Sequence, residues 1–240
     1  MRLNKFLARS GVASRRKCDR MIFDGRVKVN GEVVTEPWFD VDPDRDDVQV
    51  GANGIEPPEG HAYLLLHKPA GTITTMSDPH DRPTVVDLLG DAFQDRRVVP
   101  VGRLDADTTG ALILTDDGEL THRLTHPSFG IRKVYSAALD RPIGERDLES
   151  LEQGVALEDG PVEPDGVRRE SAVLVEVTLH EGRKHVMKRM FAALGYTVER
   201  LHRRRFAGLS ADHLEQGQWR ELNREEVNVL REGVGLDPLP

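Results

Sequence analysis

The chain has few of the features that mark secreted or membrane proteins. Its 240 residues include one cysteine, Cys18, which excludes an internal disulfide framework. No apolar run approaches the ~20 residues that cross a bilayer, and the first residues lack the apolar core of a signal peptide. We therefore expect a soluble, cytoplasmic protein with no membrane partner. A chain of this length can form one large domain, or a large domain and a small one.

The chain also lacks a net positive charge, since its formal net charge is -8. This disfavours a nucleic-acid partner, because phosphate binding depends on Lys and Arg. The charges are nevertheless segregated. Residues 1–34 hold nine Lys or Arg against three acids, and residues 180–205 hold eight against two. One such block alone fits a solvated surface without a partner, but two basic blocks in an acidic chain favour nucleic-acid binding.

The N-terminal block predicts a compact module. Apolar residues recur at helical spacing from Leu3 to Leu7, and Ser14 is placed to cap a second, basic helix. Asn30 and Gly31 come after a short stretch in which apolar and basic residues alternate. An Asn-Gly pair in this position strongly predicts a hairpin. We expect two helices and a hairpin, with the basic side chains exposed.

The rest of the chain predicts a second, larger domain. Residues 51–60 are rich in Gly and Pro, and we expect an interdomain linker there without a regular element. Strand and helix patterns then mix irregularly over residues 61–234, with no internal repeat and no regular βαβ alternation. This favours an α+β fold with a mixed sheet. We assign residues 1–50 to the first domain and residues 235–240 to a tail.

The turn at residues 102–110 has the strongest chemical pattern in the chain. Its sequence, Gly-Arg-Leu-Asp-Ala-Asp-Thr-Thr-Gly, lies between two apolar runs. An acid in such a turn lies at the edge of a sheet, where substrate can reach it and Arg103 helps to keep it ionised. Taken alone, Asp105 and Asp107 fit Asx turns that cap backbone donors better than they fit a catalytic role.

The first domain resembles the small RNA-binding fold of ribosomal small-subunit protein four, here called the S-four fold. The resemblance rests on residues 4–7, 14–16 and 24–31, the last reading Asp-Gly-Arg-Val-Lys-Val-Asn-Gly. In that family a basic helix and a hairpin grip structured RNA through its backbone and its shape. The resemblance implies RNA contacts from six cations: Lys5, Arg15, Arg16, Lys17, Arg26 and Lys28.

From about residue 2 to about residue 230, the chain resembles the ribosomal RNA pseudouridine synthases that join an S-four module to a catalytic domain. The added motifs are His-Lys-Pro-Ala-Gly at 67–71, the 102–110 turn, Lys-Val-Tyr at 133–135 and a basic stretch at 181–191. This implies isomerisation of uridine in ribosomal RNA or a ribosomal subunit precursor. It also implies a central mixed, mainly antiparallel sheet, and no metal or organic cofactor.

The resemblance assigns roles within the catalytic domain. Asp105 matches the catalytic aspartate, as nucleophile or as base, and Asp107 then shapes the loop. Tyr135 matches the aromatic residue that stacks on the target ring once that base has been flipped out of the RNA. Taken alone, Tyr135 fits an ordinary strand aromatic in the core. Arg103 either orients the turn or helps to push the target nucleotide out of its stack.

The basic stretch at 181–191 implies a cationic partner for the catalytic carboxylate. Apolar residues at helical spacing predict a basic amphipathic helix from Arg183 to Leu194. Lys188 matches the cation that keeps the carboxylate charged, with Arg189 as second choice. Val186 departs from the family pattern, which commonly has Gln there.

Two other functions fit parts of the chain. Asp-Ala-Asp-Thr at 105–108 resembles the nucleophile loop of a magnesium-dependent aspartyl phosphotransferase, which would bring regular βαβ units. The first domain alone would equally suit a noncatalytic RNA-binding assembly factor, but such a factor needs no acid facing RNA phosphates. Residues 77–84 resemble the branch that modifies 23S more than 16S ribosomal RNA. We expect a monomer.

Overall fold

A computed structural model describes residues 1–93 and 96–239 of the chain. The chain forms two compact units. Unit 1 comprises residues 1–62 and 89–98, and unit 2 comprises residues 63–88 and the residues from 99 onward. Residues 89–98 thus belong with the first unit, which differs from the expected division into domains contiguous in sequence.

Unit 1 contains the two predicted helices and the predicted hairpin. Ser14 caps the second helix, since its side chain accepts a hydrogen bond from the backbone N–H of Lys17. Asn30 and Gly31 both have positive φ, 51° and 85°, as the tight turn of a two-residue hairpin requires. The elements are α1 (Leu3–Arg9), α2 (Arg15–Phe23), β1 (Val27–Val29), β2 (Glu32–Val33), β3 (Val48–Val50) and β4 (Asn53–Gly54).

The four strands of unit 1 pair in the order β2-β1-β3-β4. The absence of regular structure expected over residues 51–60 is therefore wrong for Asn53 and Gly54, which pair with Val50 and Gln49. The physical reason is Gly51, whose positive φ of 64° lets the chain reverse within two residues. The predicted linker begins as the second half of a hairpin.

Unit 2 is built on one mixed sheet. Its helices are α3 (Gly118–Thr125), α4 (Glu145–Gln153), α5 (Val186–Ala193) and α6 (Arg224–Glu232). Its strands are β5 (Tyr63–Lys68), β6 (Val99–Pro100), β7 (Thr109–Thr115), β8 (Lys133–Leu139), β9 (Val155–Leu157), β10 (Gly160–Val162), β11 (Gly166–Arg169), β12 (Leu174–Leu179), β13 (Val198–Phe206), β14 (Leu209–Ser210) and β15 (Trp219–Glu221). Two 3-10 segments, Asp87–Phe93 and Pro127–Phe129, complete the described elements.

Among the described residues, nine strands form this sheet, with the main order β11-β12-β8-β13-β7-β5-β15. Strand β14 pairs with β13, and β6 pairs with β7. The pairs are antiparallel except β13 with β7, which is parallel. The predicted α+β fold with a mixed, mainly antiparallel sheet is confirmed. Regular βαβ units, which the phosphotransferase alternative requires, do not occur in the described part of this sheet.

The centre of the sheet is apolar because β5 and β7 are buried along almost their whole length. Leu65 of β5 and Ile113 of β7 are cross-strand partners in the core shared with α3 and α6. Each fully buried side chain of this size contributes about 1.5–3 kcal/mol. This rigid centre carries the 102–110 turn, which leads directly into β7.

The end of the chain packs onto unit 2. Asn223 and Glu226 form the predicted capping box at the start of α6. Leu236 and Leu239 lie against the core, so the described residues of the predicted 235–240 tail are held in place; residue 240 lies outside the described residues. Within the described chain, every helix is too short or too polar to cross a membrane.

Candidate active site

The 102–110 turn holds Asp105 at the end of β7 through backbone and side-chain hydrogen bonds. The Thr74 hydroxyl donates to the carbonyl oxygen of Leu104 at 2.8 Å, and accepts from the Leu104 N–H at 3.3 Å. The Thr108 N–H donates to the carbonyl oxygen of Asp105 at 3.1 Å. The backbone on both sides of Asp105 is therefore fixed, which gives its carboxylate a defined direction.

Lys68 holds the other side of the turn from within the protein. This fully buried residue donates from Nζ to the carbonyl oxygens of Pro69, Ala106 and Thr108, at 3.0, 3.2 and 2.9 Å. Burial lowers its pKa to about 8. The Gly71 N–H also donates to Ala106, at 2.8 Å. The predicted stretch 67–71 thus supports the turn from behind.

Gly110 allows β7 to lie unusually close to β13. A Cβ atom on Gly110 would lie 2.2 Å from the carbonyl oxygen of Arg203, and its φ is +115°. Any side chain at this position would collide with backbone, and L-residues rarely adopt this conformation. The glycine is therefore required by the parallel pairing of His202 with Thr109 and of Arg203 with Gly110.

The two carboxylates of the turn differ sharply in their partners. Lys188 of α5 donates to both oxygens of Asp107, at 2.6 and 2.7 Å, while its Nζ lies 3.9 Å from Asp105 Oδ2. The bond from Lys188 holds the pKa of Asp107 below its ordinary value. The resemblance made Lys188 the partner of Asp105, whereas the hydrogen bonds go to Asp107. Asp105 is left one-third exposed, with Lys188 nearby but not bonded to it.

His185 is a neighbour of Asp105 that sequence reasoning missed. Its Nε2 lies 3.4 Å from Asp105 Oδ1. The residue has a left-handed backbone, with φ 52°, immediately before α5. This turn delays the helix, which begins at Val186 rather than at the predicted Arg183. The sequence feature that could have indicated His185 is the run Gly-Arg-Lys-His at 182–185, directly before an apolar helix.

Asp105 and Tyr135 line one open cleft. Tyr135 lies on β8 and is largely buried. Arg103 is exposed at the same cleft, without a hydrogen bond or ion pair to the part of the chain that the structure describes. The structure therefore brings Asp105, Tyr135 and Arg103 to one cleft. The charged and titratable residues that line it are Arg103, Asp105, Lys133, Lys184, His185 and Arg203.

Arg189 does not belong to this cleft. Its guanidinium binds the carboxylate of Asp159, with Nη1 at 2.9 Å from Oδ2. Arg183 donates to the same carboxylate at 3.0 Å. Arg189 faces a different way from Lys188, because a helix turns about 100° per residue. Arg189 instead ties α5 to the segment around Asp159.

The six predicted RNA-binding cations of unit 1 are all exposed. None of them forms an ion pair with another residue in the described part of the chain. Three follow Ser14 at the start of α2, and two lie on or beside β1, where the alternating burial of Val27, Lys28 and Val29 turns Lys28 outward. Unit 1 thus presents free positive charges to solvent.

Comparisons with known proteins agree with this arrangement. Residues 62–193 match the model of the family described as RNA pseudouridylate synthase, and residues 1–47 match that described as S4 domain. The first match includes the 102–110 turn, β8 and all of α5. The chain belongs to the RNA pseudouridylate synthase family, so the class of enzyme defined by fold and site is an RNA pseudouridine synthase.

The relatives cover nearly the whole chain. An uncharacterized RNA pseudouridine synthase of Aquifex aeolicus (strain VF5) is 42% identical, with 100% of this chain and 97% of that protein covered. Ribosomal large subunit pseudouridine synthase B of Bacillus subtilis (strain 168) is 39% identical, with 96% and 95% covered. A crystal structure of a pseudouridylate synthase is 32% identical with a TM-score of 0.70, covering 96% of this chain and 99% of the other.

Proposed function

We propose that the protein isomerises a uridine of 23S ribosomal RNA to pseudouridine, with Asp105 as the reacting carboxylate. The single observation that carries the site assignment is a fixed, partly exposed carboxylate in a cleft with Tyr135, with no hydrogen bond from Lys188. The Bacillus subtilis relative, and one from Pasteurella multocida (strain Pm70) at 38% identity, carry the name ribosomal large subunit pseudouridine synthase B. These relatives favour the large subunit over the small one.

The reaction breaks the bond between ribose and the uracil ring nitrogen, turns the ring and rejoins it through ring carbon 5. An ionised carboxylate can act on the ribose as nucleophile or as base. Lys188, at 3.9 Å, places a positive charge beside Asp105 without occupying its oxygens. Asp107 takes the hydrogen bonds of Lys188 and so fixes the position of that cation.

The target base must leave its stack to reach Asp105, which costs a few kcal/mol. Tyr135 is positioned to recover part of this cost, because stacking of a base on an aromatic ring contributes about 1–3 kcal/mol. Arg103, exposed and unpaired with any described residue, is free to contact the RNA beside the flipped nucleotide. No step requires a metal or an organic cofactor.

The work is divided between the two parts of the chain. Residues 1–50 bind the RNA through the six exposed cations, and residues 61–234 carry out the isomerisation. Binding through phosphates is independent of sequence. The choice of uridine therefore depends on the shape of the RNA and on the catalytic cleft. The protein acts as a monomer in the cytoplasm, and light scattering of the purified protein tests the monomer.

Pseudouridine mapping of both ribosomal RNAs, from cells with and without this protein, tests the proposal. We expect one position of 23S RNA to lose its pseudouridine when the protein is absent, and to regain it when the gene is restored. Loss at a 16S position instead would overturn the subunit assignment. Unchanged pseudouridine in both RNAs would overturn ribosomal RNA as the substrate.

A further inference from the structure

Arg203 is a buried cation at the active-site cleft, and no carboxylate among the described residues pairs with it. It lies on β13, lines the cleft and is 2% exposed. Its Nε donates to the carbonyl oxygen of Ala111 at 2.8 Å, while Nη2 has no hydrogen-bond partner among the described residues. The guanidinium carbon lies 4.6 Å from the centre of the Phe206 ring. Its contacts hold the group in place without neutralising its charge.

A buried charge of this kind destabilises the folded protein. Taking an unpaired guanidinium out of water costs several kcal/mol, and burial lowers the pKa of Arg203 accordingly, although the group stays protonated in proteins. The buried acid of the described core, Asp117, bonds instead to Tyr63 and Arg231. Uncompensated charges persist where they serve a bound ligand, and this one faces the cleft that contains Asp105.

Lys133 adds a second charge beside Arg203. Its Nζ donates to the carbonyl oxygens of Ile131, His180 and Glu181, at 3.2, 3.1 and 3.4 Å. These carbonyls use its three donors but leave its positive charge in place. Burial, and then repulsion from Arg203, lower its pKa to about 8. Glu181 and Asp165 offset part of the charge of Lys133, but no ion pair with it or with Arg203 forms among the described residues.

Strand register places this pair around Tyr135. Lys133 and Tyr135 are two residues apart on β8 and so face the same side of the sheet. Arg203 is the cross-strand partner of Tyr135, and Phe206 is the partner of Lys133. A base stacked on Tyr135 would therefore lie within the field of both cations.

How deeply each cation is buried determines which part of an RNA it can contact. Two other cations of the cleft, Arg103 and Lys184, are exposed, where RNA phosphates can reach them. Arg203 is almost fully buried, and the part of a nucleotide that enters a protein furthest is the flipped base. The exposed cations suit phosphates, whereas the buried Arg203 and the half-buried Lys133 suit the uracil ring.

We infer that Lys133 and Arg203 form an anion pocket that receives the uracil ring and stabilises the negative charge it carries between the two bonds. This rests on the proposed function. When the bond from ring nitrogen 1 to ribose carbon 1 breaks, its electron pair stays on the ring and spreads to the carbonyl oxygens. The ribose carbon is left electron-deficient beside Asp105. Ring carbon 5 then bonds to that carbon and loses its proton, and nitrogen 1 gains one. Cations that are already held in place favour the charged intermediate.

A small uracil anion tests the pocket without RNA. 5-Nitrouracil carries a negative charge at neutral pH, and its absorption reports binding. We expect Arg203→Met to bind it about tenfold more weakly than wild type, or worse, because a hydrogen bond to a charged group is worth about 1.5–3 kcal/mol. We expect Lys133→Met to bind it more weakly than Lys184→Met does, because Lys133 acts through its fixed charge alone. Lys184→Met, which removes an exposed cation of the same cleft, is the matched control and stays within about threefold.

Arg203→Lys keeps the charge if Arg203→Met fails to fold, and it retains part of the affinity. Inorganic phosphate at equal concentration does not displace the probe. Equal affinity in wild type and in both Met variants would overturn the inference, as would displacement by phosphate or the absence of saturable binding to wild type. This experiment uses no ribosomal RNA, so failure of the 23S assignment would appear only in the mapping experiment.

Turnover by the same variants shows whether the two cations act on the base or on an RNA phosphate. With an RNA that wild type modifies, Arg203→Met lowers the single-turnover rate at least about tenfold. Lys133→Met lowers it too, through the loss of a fixed charge. Their RNA affinity keeps the wild-type dependence on salt. A cation that binds phosphate would instead reduce the slope of that dependence by about one, and this result would overturn the assignment to the uracil ring.

Discussion

The two units use positive charge in opposite ways. In unit 1 the six predicted RNA-binding cations are exposed and lack ion pairs with the described residues. In unit 2 the cations near the 102–110 turn are fixed by hydrogen bonds. Lys188 binds Asp107, and Lys68 and Lys133 bind backbone carbonyls. Exposed cations that bind RNA phosphates release the counterions of the RNA, and this release provides binding affinity.

Fixed and buried cations cost desolvation energy, but they can stabilise a negative charge that develops during a reaction. The comparison predicts that changes in unit 1 alter binding, while changes in the cleft alter rate.

The largest effect is expected from breaking the framework of the cleft. Gly110→Ala would place Cβ against the backbone of Arg203, so we expect a loss of about 3 kcal/mol or more in the free energy of unfolding. Gly118→Ala is the matched control, because no atom lies within 4 Å of a Cβ there. Urea unfolding of both variants checks this. Equal stability of the two would mean that β7 and β13 are not so closely paired.

Tyr135→Leu tests whether residues of the cleft determine the turnover rate rather than the RNA affinity. Loss of stacking worth about 1–3 kcal/mol predicts a turnover about 5- to 150-fold slower, since the flipped base loses its platform. RNA affinity, which depends mainly on phosphate contacts, should change little. Single-turnover rates and binding curves on the same RNA separate the two quantities. A rate within about twofold of wild type would leave Tyr135 as a core aromatic.

The cations of α2 test the other half of the comparison. Replacing Arg15, Arg16 and Lys17 by Ala should weaken RNA binding by roughly tenfold or more near 0.1 M salt, and reduce the salt slope by about two to three. The rate at saturating RNA should stay unchanged. Arg45→Ala removes an exposed cation of the same unit that lies in an acidic stretch, and it serves as control. A lower saturated rate with unchanged affinity would contradict the division between the units.

The smallest effect concerns pH. Lys68 and Lys133 have a folded-state pKa of about 8 against an ordinary 10.5, so the unfolded chain binds more protons between these values. Their contribution to stability therefore rises with pH through this window. In Lys133→Met, the free energy of unfolding should rise less between about pH 8 and 10.5 than in wild type. Lys184→Met, at an exposed position, should follow wild type; an identical pH dependence for Lys133→Met would show that Lys133 is not desolvated.

Local sequence predicted much of the fold and part of the site. Helix caps such as Ser14 and Asn223, the Asn30 and Gly31 hairpin, and the turn around Asp105 depend on neighbouring residues, so the sequence contains their physical cause. Resemblance to a family placed Tyr135 beside Asp105, which no local pattern would have done.

The remainder depends on long-range geometry. The bonding of Lys188 to Asp107 rather than Asp105 joins residues 81 positions apart. The burial of Arg203 follows from the register of β13 against β8 and from the missing side chain of Gly110. His185 approaches Asp105 because of one left-handed residue before α5. Composition and periodicity contain none of these facts.

The central claim is that Asp105, and not Asp107, reacts. Because the ring rejoins through carbon 5, the hydrogen on that carbon is released, and 23S RNA with tritium at this position reports each turnover. We expect Asp105→Asn to lower the single-turnover rate about a thousandfold or more with RNA affinity intact, and Asp107→Asn to lower it less than about tenfold. Tritium release by Asp105→Asn at a rate near that of wild type would contradict the claim.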